Sequence, residues 1–128
     1  MSAQDQVREF HVTMNLPISR VLRKDCPQMG LRQALIEEEA TELREALFLR
    51  DTPNIVEAAD ALADIVYVCY GAAITWGIDL DKVIAEVHAA NLRKLWPDGK
   101  PRVTEAGKIL KPEGFVGPDI ASVLGLNK

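Results

Sequence analysis

The chain has 128 residues, of which 48% are hydrophobic and 27% are charged, and its net charge is -4. This length predicts one domain, 1–128, that buries roughly two thirds of the surface its unfolded chain exposes. The charge balance excludes an extended nucleic-acid-binding surface, which requires a basic stripe. Because the N-terminus carries no apolar signal core and Asp64 interrupts the longest weakly charged stretch, we expect a cytoplasmic protein without a membrane-spanning segment.

Three helices are predicted in the first part of the chain. The first helix is expected at about Gln4 to Asn15, and the second at about Met29 to Arg50, a segment rich in residues that favour helices. The third helix is predicted to have Thr52 as its N-cap and Pro53 as its first helical residue. It should end at Gly77, which suits a left-handed C-cap.

The fourth helix is predicted to begin after Asp79 as N-cap and to end before Pro97. Arg93 and Lys94 would then lie in its last turn, where cations complement the helix dipole. Short connections between consecutive helices favour antiparallel neighbours. The predicted fold is therefore all-α, with an antiparallel four-helix bundle-like core at about 4–96.

The segment after Pro97 has a different composition, rich in Gly, Pro and Lys. We expect an irregular C-terminal tail, 97–128, with a short hairpin across Glu105-Ala106-Gly107 and a last helical turn from Pro118 to Leu124.

Two acidic clusters stand where helices normally bury apolar residues: Glu38-Glu39-x-x-Glu42, and Asp60-x-x-x-Asp64. From Ala61 to Trp76, Asp64 is the only charged residue, and a helix that is apolar all round is normally buried. A buried carboxylate must be paired, protonated or bound to a metal ion. Because oxygen ligands suit hard cations, the pattern predicts a Mg2+ or Mn2+ site between the second and third helices.

A helical wheel places Glu38, Glu42 and Glu45 on the stripe that carries Leu31, Leu35 and Leu49, so this stripe is expected to face inward. Glu39 lies at its edge, and Glu37 lies on the far side with Arg44. A glutamate-rich helix is usually a solvated surface, and that interpretation is favoured for Glu37 or Glu45 taken alone.

Asp60 and Asp64 share a face of the third helix with Glu57, Tyr67 and Gly71, and Gly71 is expected to let a neighbour or a ligand approach closely.

Other polar residues have two interpretations each. Asn91 and Lys94 continue one face of the fourth helix, where Asn91 is either a metal-side or a core polar residue, and Lys94 meets either a phosphate or helix-end carbonyls.

His11, beside Phe10, is more typical of a packed histidine than of a metal ligand. With Cys26 and Cys69 far apart and without CxxC spacing, a zinc site is not expected.

The order of these motifs resembles a known family. EExxE on one helix followed by paired acids on the next is similar to the MazG-like all-α nucleoside triphosphate pyrophosphohydrolases of the small phage and bacterial type. The resemblance extends from Val7 to Val123. It includes an N-x-x-K motif, Asn91 to Lys94, and the tail GKILKPEGFVGPDI.

The resemblance implies a homodimer or homotetramer that binds Mg2+ or Mn2+, with two or more ions per site. It implies Glu39 as the residue that positions or deprotonates water, with four metal ligands: Glu38, Glu42, Asp60 and Asp64. Ala61 stands where the family pattern has glutamate, so Asp60 is carried over as the substitute and Glu57 as second choice. The implied phosphate-binding residues are Asn91, Lys94, Lys108 and Lys111.

The activity implied is hydrolysis of a (deoxy)nucleoside triphosphate to the monophosphate and pyrophosphate, with dGTP first and dUTP or dCTP next. Phe10, His11 and Met14, with the loop from Asn15 to Cys26, precede the metal helices and are predicted to enclose the base, and Trp96 or Phe115 is the alternative stacking surface. Phosphoribosyl-ATP pyrophosphohydrolase activity is the alternative within the same helical class. A non-catalytic helical module stabilised by a metal ion is the alternative outside it.

Overall fold

Five helices account for the regular structure of residues 1–126, the part of the chain that the computed structural model describes. They are α1 (Ala3–Thr13), α2 (Met29–Phe48), α3 (Ile55–Trp76), α4 (Leu80–Leu92) and α5 (Ile120–Val123). Within the described residues, extended pairing is limited to one isolated antiparallel bridge between Val103 and Ile109. The all-α prediction is confirmed. The last two residues of the predicted tail lie outside the described part.

The chain divides into two compact units, Met1–Asp79 and Leu80 onward. In the first unit, α2 and α1 both pack against α3. The prediction that 1–128 behaves as a single domain is not tested by this division and stays a prediction.

The start of α3 differs from the sequence prediction. Asn54, not Thr52, is the N-cap: its backbone is extended, and its side-chain oxygen accepts a hydrogen bond of 3.0 Å from the Glu57 amide. Pro53 therefore precedes the helix. The prediction was wrong because a Thr-Pro pair and an Asn two residues later both fit helix starts, and it is Asn54 whose side chain accepts from the first turn.

The end of α3 is as predicted. Gly77 has a φ of 72°, and a Cβ at this position would collide with the carbonyl oxygen of Val21. The loop that supplies Val21 lies against this end of the helix, where Ser19 donates to Ile74 and Arg23 donates to Trp76 through backbone amides. Glycine is thus required for both the turn and the close approach.

The inward face of α2 was predicted wrongly for the single chain. Leu31 is 50% exposed and Leu49 is 72% exposed, and Glu38, Glu42 and Glu45 are exposed with them. Of the predicted stripe only Leu35 is half-buried, and the other buried or half-buried residues of α2 lie one position further round the helix or next to that position: Arg32, Ile36, Glu39, Leu43, Ala46 and Leu47. The wheel followed Leu31 and Leu49, whereas the side of α2 that is buried combines apolar residues with Arg32 and Glu39.

The core of the first unit lies along the C-terminal half of α3. Residues 70–75 are all buried, and Ile74 and Thr75 are 1% and 0% exposed. By length and composition alone α3 is apolar enough to cross a membrane, but 44% of its most apolar stretch is buried inside the protein. A core helix passes the same test, so the cytoplasmic location stays a prediction.

In the second unit, α4 ends at Leu92 rather than just before Pro97. Arg93 and Lys94 therefore follow the helix in a turn instead of forming its last turn, and Arg93 donates to the carbonyl oxygens of Val116 and Gly117. The predicted hairpin is present, with Thr104 and Lys108 paired across Gly107. The predicted last helical turn is α5, with Asp119 as its N-cap.

Candidate metal and nucleotide site

Three carboxylates meet between α2 and α3. Single oxygen atoms of Glu39, Glu42 and Asp64 all lie within 4.8 Å of one another. Glu39 and Asp64 are half-buried, and Glu42 is exposed. Three acids this close repel one another unless a proton or a cation separates them.

Helix geometry explains why these acids converge. Glu39 and Glu42 are three residues apart and so lie on one side of α2. Asp64 faces them from α3, and two turns further along the same interface Arg32 of α2 lies against Gly71 of α3. The two contacts together fix an antiparallel register for α2 and α3.

Glu39 carries the electrostatic cost of this arrangement. Its Oε2 atom is buried and has no hydrogen-bond partner among the described residues. Burial, then a hydrogen bond with Glu42 and repulsion from the Glu42, Asp64 and Glu38 carboxylates, raises the pKa of Glu39 to about 7. A carboxyl group with this pKa shares a proton near neutral pH and releases it when a cation arrives.

The donor set fits a hard divalent cation. Carboxylate oxygens are the ligands that Mg2+ and Mn2+ prefer, and the buried Oε2 of Glu39 lacks the partner that a cation would supply.

The other predicted metal ligands lie outside this cluster of three. Glu38 is exposed, although its charge contributes to the raised pKa of Glu39, and Asp60 is exposed one turn before Asp64. Glu57, the second choice for the missing acid, binds Arg50 at 3.1 Å instead. Ala61, where the family pattern has glutamate, is 2% exposed and therefore packed in the core.

The predicted base-binding residues on α1 differ in exposure. Phe10 is 37% exposed and makes an edge-to-face contact with Tyr67, at 5.5 Å between ring centroids. His11 is 2% exposed, and its Nδ1 atom lies 2.8 Å from the Pro17 carbonyl oxygen. Met14 is the C-cap of α1 and is 57% exposed.

The predicted phosphate-binding residues all belong to the second unit. Lys94 and Lys111 are brought together on the ring of Phe115, with their Nζ atoms 5.9 and 5.6 Å from its centroid. Asn91 and Lys94 line a surface pocket of about 480 Å³. Lys108 is exposed in the hairpin, where its amide donates to the Thr104 hydroxyl.

Sequence reasoning missed the burial of Arg32, which is 4% exposed. Within the described residues no hydrogen bond or ion pair engages its guanidinium, and its Nε atom is buried without a partner. A Cβ at Gly71 would lie 2.7 Å from Arg32 Nη1 and 3.2 Å from His11 Nε2, so the missing side chain of Gly71 leaves room for both groups. An arginine in a helix rich in Glu and Arg carries no sequence signal that it is buried.

Two similarities to known proteins bear on this site. The sequence model of the phosphoribosyl-ATP pyrophosphohydrolase family matches residues 7–91, which include most of α1, all of α2 and α3, and nearly all of α4. An uncharacterised protein of Acanthamoeba polyphaga mimivirus is 35% identical over 101 residues, covering 75% of this chain. The chain spans 37% of the length of that relative.

Proposed function

Because this chain belongs to the phosphoribosyl-ATP pyrophosphohydrolase family, we propose that it hydrolyses a nucleoside triphosphate to the monophosphate and pyrophosphate in a reaction that requires a divalent metal ion. The observation that carries the proposal is the cluster of Glu39, Glu42 and Asp64, in which a buried carboxylate oxygen has no partner among the described residues. Such a cluster is costly to keep unless a cation binds it during function.

The protein side chains have separable roles in this proposal. Glu42 and Asp64 hold Mg2+ or Mn2+, which neutralises phosphate charge and lowers the pKa of water when bound. Glu39, with its raised pKa, orients the attacking water and accepts its proton. Glu38 and Asp60, exposed beside the cluster, remain the proposed further ligands if two or more ions bind.

The proposed substrate is a deoxynucleoside triphosphate, with dGTP as the first choice and dUTP or dCTP next. Phe10 and Tyr67, in contact at the surface of α1 and α3, offer aromatic rings for a base. The second candidate is phosphoribosyl-ATP, which the matching family model favours by its own description.

Asn91, Lys94, Lys108 and Lys111 are proposed to contact the phosphates. The support is that Lys94 and Lys111 share the Phe115 ring, so two cations are held near one point of the second unit. A compact polyphosphate needs only a few cations placed in this way.

A homodimer or homotetramer is proposed as the working form. Large apolar side chains near the α2–α3 connection are strongly exposed in the single chain: Phe48 at 76%, Leu49 at 72%, Ile55 at 78% and Val56 at 76%. Exposed apolar surface concentrated in this way marks a contact site. Light scattering should report twice or four times the mass of one chain, and a monomer at all concentrations would contradict this proposal.

The experiment for the activity is pyrophosphate release from the common NTPs, dNTPs and phosphoribosyl-ATP with Mg2+ or Mn2+. We expect pyrophosphate, not orthophosphate, from at least one substrate, and no release in the presence of a chelator. Glu37→Gln is the matched control, because Glu37 is exposed and hydrogen-bonds to Gln33 on the same helix. Orthophosphate alone, or release that ignores the chelator, would contradict the proposal.

A further inference from the structure

Arg32 is a buried cation that the proposed chemistry does not use. Its side chain lies in the α2–α3 interface, and no carboxylate of the described residues forms an ion pair with it. A buried charge without a partner destabilises a protein, and replacement by an apolar residue is often neutral or stabilising. We therefore expect Arg32 to pair with a bound ligand.

The position of Arg32 relative to the acid cluster limits what that ligand is. Arg32 precedes Glu39 by two helical turns on α2, and Gly71 follows Asp64 by two turns on α3. At 1.5 Å per residue the separation is about 10 Å along one helix interface. A nucleoside triphosphate whose phosphates lie at the acids is long enough to place its opposite end, the base, near Arg32.

His11 indicates that the ligand beside Arg32 is the neutral edge of a base and not a second anion. Its Nδ1 lies 2.8 Å from the Pro17 carbonyl oxygen, which can only accept, so Nδ1 carries the hydrogen. Burial, and then the charges of Arg32 and Arg8, lower the pKa of His11 below its ordinary value despite the Pro17 contact. The imidazole is neutral, and its Nε2 atom presents a lone pair that repels an anion.

Together the two side chains form a donor beside an acceptor. Arg32 Nη1 and His11 Nε2 both lie against Gly71, at 2.7 and 3.2 Å from the point where a Cβ would stand. Guanidinium only donates, and it pairs preferentially with oxygen acceptors such as guanine O6. The neighbouring Nε2 accepts from a ring N–H.

We propose that Arg32 and His11 select bases whose edge presents an oxo group beside a ring N–H, as in guanine, hypoxanthine and uracil, over bases with an amino group at that place. This inference rests on the proposed function for the location of the phosphates. Phe10 and Tyr67, each 37% exposed, must part to admit the base. Both rings line a surface pocket of about 430 Å³, from which the base would enter.

The test compares substrates that differ in one exocyclic group, dITP against dATP and dUTP against dCTP. We expect wild-type kcat/KM to favour the oxo member of each pair. In Arg32→Met the preference should fall by about tenfold, the loss of one specific arginine contact. Hydrolysis of inorganic triphosphate, which has no base, should be unchanged. An unchanged preference in Arg32→Met would overturn the inference.

A stability measurement separates recognition from a structural role. If Arg32 serves recognition, Arg32→Met should melt at the same temperature as wild type or higher, whereas a structural arginine would give a lower melting temperature. Gly71→Ala is the second variant, because it displaces the guanidinium while keeping its charge, and it should reduce the same preference.

Failure of the inference and failure of the proposed function give different results. Equal hydrolysis of both members of each pair by wild type would overturn the role of Arg32 and His11 and leave the hydrolase intact. Absence of pyrophosphate release from every substrate would overturn the function. Arg32 is then tested by calorimetric binding of dGMP and dAMP, where equal affinity in wild type would overturn the inference as well.

Discussion

The acid cluster and the Arg32 site lie two turns apart on the same pair of helices, and each keeps a charge without compensation. At one end, Glu39, Glu42 and Asp64 are three acids with no cation among the described residues. At the other end, Arg32 is a cation with no acid. An ion pair between the two regions would satisfy both, but rigid helices in a fixed register hold them about 10 Å apart. A ligand that bridges the separation, as proposed above, would compensate both charges.

The largest effect is expected at the acid end. Asp64→Asn and Glu42→Gln should each lower kcat/KM by about a hundredfold or more, since the lost stabilisation of phosphate charge amounts to several kcal/mol. Melting temperature without metal should not fall, because each change relieves repulsion at Glu39. Steady-state pyrophosphate release checks the first result and calorimetry the second. Full activity in either variant would contradict the assignment of the metal site to these residues.

Gly71→Ala tests the cation end with a smaller expected effect. The added methyl group would lie 2.7 Å from Arg32 Nη1, so the guanidinium must shift. We expect about 1 to 3 kcal/mol of destabilisation from overpacking and a preference between dITP and dATP that falls severalfold. Denaturant unfolding measures the first effect. Ala72→Gly, in the next position of the same buried segment, is the control: it should destabilise α3 and leave the preference unchanged.

The acid cluster was more predictable from the sequence than the Arg32 site. The acids stood out because Asp64 interrupts an apolar helix and Glu38, Glu39 and Glu42 are closely spaced. The buried side of α2 was not predictable from a wheel, since Leu31 and Leu49 are exposed in the single chain while Glu39 turns inward.

The Arg32 site could not be predicted from the sequence alone. Arg32 becomes notable only when the register brings it to Gly71, and Gly71 matters only because His11 and Arg32 occupy the space beside it. Such a site depends on three segments meeting, and no local pattern encodes that meeting. Gly71 was correctly expected to admit a close neighbour, but the neighbour itself was unknown.

The pH dependence of stability sharpens the comparison further. Between the ordinary pKa of glutamate and about 7, the folded chain holds a proton on Glu39 that the unfolded chain has released. The free energy of unfolding without metal should therefore fall as pH rises through this window. Mn2+ competes with that proton, so its stabilising effect should grow as pH rises towards about 7 and level off above it. Thermal melts with and without Mn2+, across that range, measure both trends, and a metal effect independent of pH would contradict the role of Glu39.

The smallest effects on activity are expected at Asp60 and Glu57. Asp60 is exposed and lies outside the cluster of three acids, so Asp60→Asn should lower kcat/KM by about tenfold or less, well below the loss at Asp64. Glu57→Gln should change activity less, because Glu57 is held by Arg50. A loss at Glu57 greater than at Asp60 would transfer the proposed fourth ligand to Glu57.

The central claim is that Glu42 and Asp64 hold a divalent cation beside Glu39, and a calorimetric titration with Mn2+ tests it most directly. Wild type and the Glu37→Gln control should bind Mn2+ with the same affinity and release protons near neutral pH, whereas Asp64→Asn should bind at least about tenfold more weakly. Equal Mn2+ affinity in wild type and Asp64→Asn would contradict the account.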